Sequence, residues 1–267
     1  MQTIGRALAM WSLPVFPPDR EKVQALGVIL KAGGYRSAES YLSLYKAEAE
    51  RRGYVWTALE QRATRDAVRS CLRGLGGPQK ALPLPFSRLG ELDGGHLPWT
   101  AAGPVGPRNM VVLGAWFMLR EVEAANSRIK DVVVHVKDGR PKVVWTLPAS
   151  KTDQQACGVS RSHGCMCEDK PSPSCPGHAA WAQASLLKRL FPHGNEEMPF
   201  FPTVDGKVCT KDAMASTLTM AAESLGVPAE TATGKITGHT LRVTGAQGMA
   251  AAGLDLWAIQ LIGEWCP

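Results

Sequence analysis

Residues 238–265 read GHTLRVTGAQGMAAAGLDLWAIQLIGEW, and this stretch decides the fold. It opens with His239-Thr240-Leu241-Arg242, continues through small residues to a Gly253-Leu254-Asp255 turn, and closes with an apolar segment that ends in Gly263-Glu264-Trp265. A histidine and an arginine three residues apart lie on one face of a helix. Their side chains can converge on one anion, the guanidinium holding two phosphate oxygens and the imidazole donating a hydrogen bond or transferring a proton. Alone, this spacing also occurs in ordinary surface pairs.

Taken together, these features resemble the second conserved box of the tyrosine recombinase (phage integrase) family. In that family His-x-x-Arg opens a small-residue helix, a Gly-x-Asp turn follows, and a final helix ends in Gly-x-Trp or Gly-His. Here His239, Arg242 and Trp265 occupy those positions in register. The resemblance implies a DNA-binding site-specific recombinase or integrase, which breaks and rejoins DNA strands by phosphotyrosyl transesterification.

The family also implies an upstream arginine, on a helix before the sheet and followed three residues later by glutamate. Residues 116–123 read WFMLREVE, so Arg120 would be the first catalytic arginine and Glu123 the carboxylate that supports the site. A helix-surface charge is the other interpretation of Arg120. We disfavour it because Arg120 lies in the most apolar predicted helix, about 108–126, where a charge needs a partner.

A catalytic lysine is implied on or after a β-hairpin. Residues 147–154 read LPASKTDQ, and this SKTD segment resembles family members from eukaryotic mobile elements. Lys151 would protonate the departing 5′-oxygen, a role open to a flexible ammonium beside a phosphate. Lys137 and Lys142, on the hairpin itself, are the alternatives.

The family's nucleophile is a tyrosine, which the resemblance places about nine residues beyond Trp265 and which acts without metal or ATP. The four tyrosines of the sequence are Tyr35, Tyr41, Tyr45 and Tyr54, for which we expect packing or DNA contact. The resemblance thus predicts a chain truncated before its nucleophile and inactive by itself. The alternatives are a catalytically inactive DNA-binding protein of the same fold and a zinc-stabilised interaction module.

A Cys-rich insert, residues 157–178, contains a pattern of metal-ligating residues, Cys165-x-Cys167-x7-Cys175-x2-His178. Zinc prefers four tetrahedral sulfur and nitrogen ligands, and a site with four protein ligands is structural. The Cys-Pro-x-His that follows SKTD also resembles recombinase-like proteins of eukaryotic elements. Alternative ligands are nearby, at Cys157 and His163. Reduced cysteines on a flexible loop are the other interpretation.

Charge is concentrated in the first third of the chain. The sequence has 30 basic and 24 acidic side chains, a net charge of +6. Residues 1–80 hold 13 basic and 7 acidic ones, so the whole excess lies there. One predicted helix carries a stripe of arginines, at Arg62, Arg65, Arg69 and Arg73. The pattern predicts double-stranded DNA as the partner, because clustered arginines neutralise phosphates; a solvated helical face is the alternative.

The periodicity predicts a mainly α protein with a small antiparallel β-sheet. We expect a basic helical, core-binding-like domain over 1–80, a Gly/Pro-rich linker over 81–107, and a recombinase catalytic-type domain over 108–267. Within the last domain, apolar β-branched runs flank Asp138-Gly139, which predicts a β-hairpin. The resemblance adds a homo-oligomer on DNA.

Composition excludes two other classes of protein. With 45% hydrophobic and 20% charged residues the chain can form a core, which argues against wholesale disorder. No run of about 18 apolar residues occurs, so no membrane span is predicted. The Pro-broken start makes a poor signal peptide. We therefore expect an intracellular protein, in the nucleus if its source is eukaryotic.

Overall fold

The computed structural model describes residues 1–77, 79–147, 158–168 and 170–263. These residues confirm the predicted fold class, a mainly helical protein with a small antiparallel sheet. No helix among them is both long enough and apolar enough to cross a membrane.

The chain divides into two compact units, Met1–Pro78 and Gln79–Pro267. The helices of the first unit are α1 (Gln2–Ala9), α2 (Arg20–Ala32), α3 (Ala38–Arg51) and α4 (Ala58–Leu72). A capping box starts α4, where the Thr57 hydroxyl accepts from Leu59 N at 3.2 Å and Glu60 accepts from Thr57 N at 2.8 Å. Helices α2 and α4 pack closely, because Gly27 faces Ala67 with no room for a side chain.

In the second unit, helices surround one larger core. They are α5 (Pro107–Trp116), α6 (Glu121–Asn126), α7 (Pro176–Leu190), α8 (Lys211–Ser224), α9 (Thr240–Ala251) and α10 (Leu256–Gly263). Two short 3-10 helices, Phe86–Glu91 and Ile129–Asp131, accompany them. The core is rich in aromatic residues, with Phe117, Trp145, Phe200 and Phe201 among the fully buried side chains.

The sheet of this unit has the antiparallel order β2-β3-β4, formed by Val132–Lys137, Arg140–Leu147 and Val159–His163. The predicted hairpin is present: Asp138 and Gly139 both have positive φ, 51° and 73°, as a two-residue turn requires. A two-residue parallel pair, β1 (Lys80–Ala81) with β5 (Gly234–Lys235), lies apart from this sheet. The sequence did not predict β4, whose SRSH stretch lacks an apolar alternation.

The single helix predicted over 108–126 is wrong, since the chain breaks between Trp116 and Glu121. Met118 adopts φ 48°, in the left-handed region, and ends the helical path. Arg161 on β4 donates to the Phe117 carbonyl at 2.5 Å and so satisfies a group that the break leaves outside a helix. The break makes Arg120 the N-cap of α6.

The segment predicted as a linker, 81–107, contributes to the core of the second unit. Leu84, Leu89 and Leu92 are buried there, and Leu84 N donates to the Thr244 hydroxyl at 2.8 Å. Its glycines and prolines lie between the leucines, and the leucines make apolar contacts with the core of the second unit.

Helix α9 packs against α5 through its small residues. A side chain at Gly245 would overlap the carbonyl oxygen of Ala115, and one at Gly114 would overlap Leu241. The small-residue run of the sequence therefore lets the two helices approach backbone to backbone.

We expect Gly245→Ala to lower the free energy of unfolding by up to about 2 kcal/mol. The added methyl must displace the α5 backbone at a cost of about 1–3 kcal/mol, and the roughly 1 kcal/mol that alanine gains over glycine in a helix offsets part of it. Denaturant unfolding measures the change. Gly5→Ala in α1, where the nearest atom is 3.9 Å from the added carbon, is the control and should be neutral or stabilising. A Gly245→Ala protein as stable as the parent would contradict the close packing.

Candidate functional site

Two segments of the second unit that are far apart in sequence lie next to each other where α6 and α9 begin. The Glu121 backbone N–H donates to the Gly238 carbonyl at 3.1 Å. Arg120 immediately precedes the donor and His239 immediately follows the acceptor. Gly238 is required at this position, because any side chain there would overlap the Glu121 carboxylate. The structure therefore brings the backbones that carry Arg120 and His239 together.

Arg120 is held by Glu123, the carboxylate that the sequence assigned to it. The guanidinium donates to one Glu123 oxygen, and Arg120 N donates to the other at 2.7 Å. The two side chains are only 19% and 11% exposed. This geometry fixes the arginine at the break between α5 and α6, and within the described part of the chain its remaining N–H groups are not used by another side chain.

His239 and Arg242 lie at the N-terminus of α9. His239 is the exposed N-cap residue, while Arg242, in the first turn, is 5% exposed. The preceding loop is ordered by threonines: His239 N donates to the Thr237 hydroxyl at 3.2 Å, and Thr237 N donates to the Thr240 hydroxyl at 3.0 Å. A helix N-terminus attracts anions. A histidine, an arginine and a positive helix end are thus combined at one place.

The remaining predicted catalytic residues are placed less fully. Lys151 and Trp265 lie outside the described residues. The alternative lysines, Lys137 and Lys142, are exposed on β2 and β3. Helix α10 leads towards Trp265 and is anchored by Ile259, which packs with Met118 and Met249. The turn that precedes Arg120 therefore also supports the C-terminal helix.

The four predicted metal ligands are assembled into one cluster. The ligand atoms of Cys165, Cys167, Cys175 and His178 all lie within 4.8 Å of one another. His178 Nδ1 is 3.7 Å from Cys165 Sγ and 3.5 Å from Cys167 Sγ. In a tetrahedral zinc site with Zn–S of about 2.3 Å and Zn–N of about 2.1 Å, sulfur and nitrogen are about 3.6 Å apart. The donor set and its spacing both fit zinc.

The thiols of this cluster differ in acidity. Burial raises the pKa of Cys175, but hydrogen bonds from His178 and from Met166 N outweigh burial, and the pKa falls to about 7. Burial and the neighbouring cysteines raise the pKa of Cys167 to about 11. A bound metal would take the place of the thiol protons, because thiolates are the ligating form.

Of the two alternative ligands, Cys157 lies outside the described residues, and His163 is not part of the cluster. His163 packs on the rings of Trp116 and Phe117, with centroids 5.4 and 4.7 Å away. Burial lowers the pKa of His163 to about 4, so it is neutral at pH 7. His163 is therefore packed among aromatic rings and is not placed as a ligand of the cluster.

The cluster is tied to the core through Trp116, whose indole Nε1 donates to the Ser174 carbonyl at 2.8 Å. Cys175, the next residue, is the N-cap of α7. Sequence reasoning missed this link, together with the roles of Glu121, Gly238 and Arg161. Only Gly238 left a signal, as a glycine directly before His-x-x-Arg; the other contacts depend on tertiary structure.

The fold is similar to those of a lambda integrase and a site-specific recombinase solved with DNA. One such structure is a lambda integrase(75-356) dimer bound to a COC′ core site, with a TM-score of 0.58 and 14% identity over 98% of this chain and 82% of that chain. Another is the XerH site-specific recombinase bound to a palindromic difH substrate, with a TM-score of 0.50 and 14% identity over 86% of this chain. This chain spans 65% of that XerH chain. No protein-family model and no curated protein matches the sequence.

Proposed function

We propose that this chain binds duplex DNA and belongs to a site-specific recombinase or integrase. The observation that carries the proposal is the hydrogen bond between Glu121 and Gly238. This bond joins the segments that carry Arg120 and His239. The sequence predicted each of these residues, from different motifs, to belong to one catalytic site. The fold around them is similar to that of lambda integrase.

In the proposed reaction, Arg120 and Arg242 neutralise the negative charge that grows on the scissile phosphate, and His239 hydrogen-bonds one of its oxygens. A tyrosine hydroxyl gives up its proton to solvent as its oxygen attacks phosphorus in line, forming a 3′-phosphotyrosyl bond while the bond to the 5′-oxygen breaks. Lys151 supplies the proton that the departing oxygen takes up. Attack by that 5′-hydroxyl in the reverse direction rejoins the strand.

The first unit supports DNA binding through its arginine stripe, Arg62, Arg65, Arg69 and Arg73 on and directly after α4. All four side chains are exposed. Arg62 lies 4.0 Å from Asp66, whereas Arg65 and Arg69 have no ion pair among the described residues. Exposed guanidinium groups without acidic partners are suited to contact a phosphate backbone without reading sequence.

We expect Arg65→Ala with Arg69→Ala to weaken duplex binding equally on any sequence. The slope of log affinity against log salt should fall by about 2, because each lost phosphate contact removes about 0.9 from the slope. Arg51→Ala with Arg52→Ala is the matched control: it removes the same charge, but Glu48 already engages both guanidiniums, at 2.7 and 2.8 Å. Equal slopes for the two double variants would refute a specific role for the stripe.

We also propose that Cys165, Cys167, Cys175 and His178 hold a structural zinc ion. Bound zinc would crosslink the segment after β4 to the first turn of α7, and four protein ligands would leave no position for a catalytic water. The fit of the sulfur–nitrogen distances supports this proposal.

A DNA-binding protein of the same fold without catalysis is the second candidate. Tyr45, one of the four tyrosines in the sequence, is fully buried with its hydroxyl donating to the Val15 carbonyl at 2.6 Å, so its oxygen is not placed to attack a phosphate. Formation of a covalent link to a nicked duplex distinguishes the two candidates. The relation to eukaryotic mobile elements, the truncation and a homo-oligomer on DNA remain predictions.

A further inference from the structure

A second basic site lies in the second unit, at the N-terminal end of α5. It is a cavity of about 170 Å³ whose polar lining comes from His96, Arg108, Asn109 and Arg189, with Gly94 and Gly95 on one wall. None of the described residues that line it is acidic. The adjacent carboxylate, Asp93, accepts from Gly95 N at 3.0 Å, so the two arginines of the lining outnumber it.

Arg108 is the central observation. Its side chain is half-buried, and its Nε is inaccessible and has no hydrogen-bond partner among the described residues. The guanidinium lies flat on Gly94, where an added side-chain carbon would be 2.5 Å from Nη1. Holding a guanidinium partly buried with few acceptors is costly, and an anion in the cavity, contacting the Nη groups rather than Nε, would offset part of that cost.

Other arginines of this unit show the contrast. Arg88, Arg120 and Arg128 each form an ion pair, with Glu91, Glu123 and Glu197. Arg108 and Arg189 have no ion pair among the described residues, although both line one cavity. Two arginines that line the same space can together bind an oxyanion.

The backbone at this cavity adds further donors. Pro107 at the first position of α5 has no N–H, and the first bond into the helix is Met110 N to the Gly106 carbonyl, at 3.2 Å. The N–H groups of Arg108 and Asn109 therefore have no acceptor within the helix. The Asn109 amide is already used, donating to Gln183 Oε1 at 3.2 Å.

We propose that this cavity binds the oxyanion of a phosphate group, separately from the site at Arg120, His239 and Arg242. Two guanidiniums match the several acceptor oxygens of a phosphate. The phosphate could come from a free anion or from the backbone of duplex DNA.

The DNA backbone is the source that the proposed function suggests. The cavity lies at the start of α5 and the Arg120 turn follows its end, and ten helical residues span about 15 Å. A duplex rises 3.4 Å per base pair, so it covers this distance in about four to five pairs. One duplex could then contact both sites, a step that rests on the proposed function; binding of free phosphate does not depend on it.

The test begins with inorganic phosphate, titrated into the whole chain while backbone amide resonances are followed by NMR. We expect shifts centred on residues 94–95 and 106–109. Arg108→Gln with Arg189→Gln should weaken the effect at least about tenfold, because each charge-assisted hydrogen bond contributes about that factor. Lys188→Ala removes a neighbouring charge that does not line the cavity, and it should bind phosphate like the parent.

A second arm measures the salt dependence of duplex binding by the same proteins. A slope lowered by about 2 in the double variant assigns the phosphate to DNA. Phosphate-dependent shifts with an unchanged DNA slope assign it to a free anion, and the site still stands. No shift at 94–95 and 106–109 in the unsubstituted chain, together with an unchanged DNA slope, overturns the proposal. The titration of the unsubstituted chain does not depend on the folding of any variant.

Discussion

Arg242→Ala should abolish covalent attachment to DNA in a version of this chain that carries a tyrosine in a segment fused after Pro267. With the tyrosine placed about nine residues beyond Trp265, incubation with a nicked suicide duplex should trap a 3′-phosphotyrosyl adduct, visible as a shifted band on a denaturing gel. Arg242 is buried at the positive end of α9. Removing a positioned donor to the developing charge lowers the rate about 10²–10³-fold.

Three comparisons make this result specific. His239→Ala should lower the rate by about 10²–10⁴-fold if the imidazole transfers a proton, and by less if it only hydrogen-bonds. Arg128→Ala removes an exposed arginine that already pairs with Glu197 at 3.0 Å, so it should not change the rate. The 267-residue chain itself should bind DNA but form no adduct. An Arg242→Ala rate within about twofold of the parent rate would show that another group stabilises the phosphate.

Purified protein should contain about one zinc ion per chain, and Cys165→Ser with Cys175→Ser should contain essentially none. Two thiolates supply half of the ligand set, and structural zinc sites bind with roughly 10–16 kcal/mol of apparent free energy. Metal analysis of protein purified without chelators measures the content. Hydrogen exchange should quicken over 158–178 and in the first turn of α7, and much less elsewhere, because the other helices have their own buried faces.

Cys71→Ser is the matched control for the metal. Cys71 is buried in the first unit, where its thiol donates to the Gly27 carbonyl at 3.3 Å, and it takes no part in the cluster. This variant should keep its zinc. Parent protein without zinc, or a double variant that retains it, would contradict the metal site.

The sequence alone was sufficient to predict features that depend on residues close together in the chain. The Asp138-Gly139 turn depends on neighbouring residues, and it is present in the structure. The metal ligands were also identifiable, because thiolates and imidazoles at short spacing can close around one ion. In each case the residues that decide the structure are only a few positions apart.

Tertiary effects were not visible in the sequence. The apolar run over 108–126 predicts one helix, yet Arg161, on a strand that the sequence did not reveal, satisfies the carbonyl at the break. The Gly/Pro content of 81–107 predicts a linker, yet Leu84, Leu89 and Leu92 find their contacts in the core. Both outcomes depend on residues distant in the chain.

The central claim is that Arg120, His239 and Arg242 surround one phosphate of DNA. A structure of the chain bound to duplex DNA tests it most directly. We predict one backbone phosphate with oxygens at about 2.7–3.2 Å from the guanidinium nitrogens of both Arg120 and Arg242, and with His239 in hydrogen-bonding reach of the same group. Duplex DNA bound to another face of the unit, with Arg120 engaged only by Glu123 and no phosphate near Arg242, would contradict the claim.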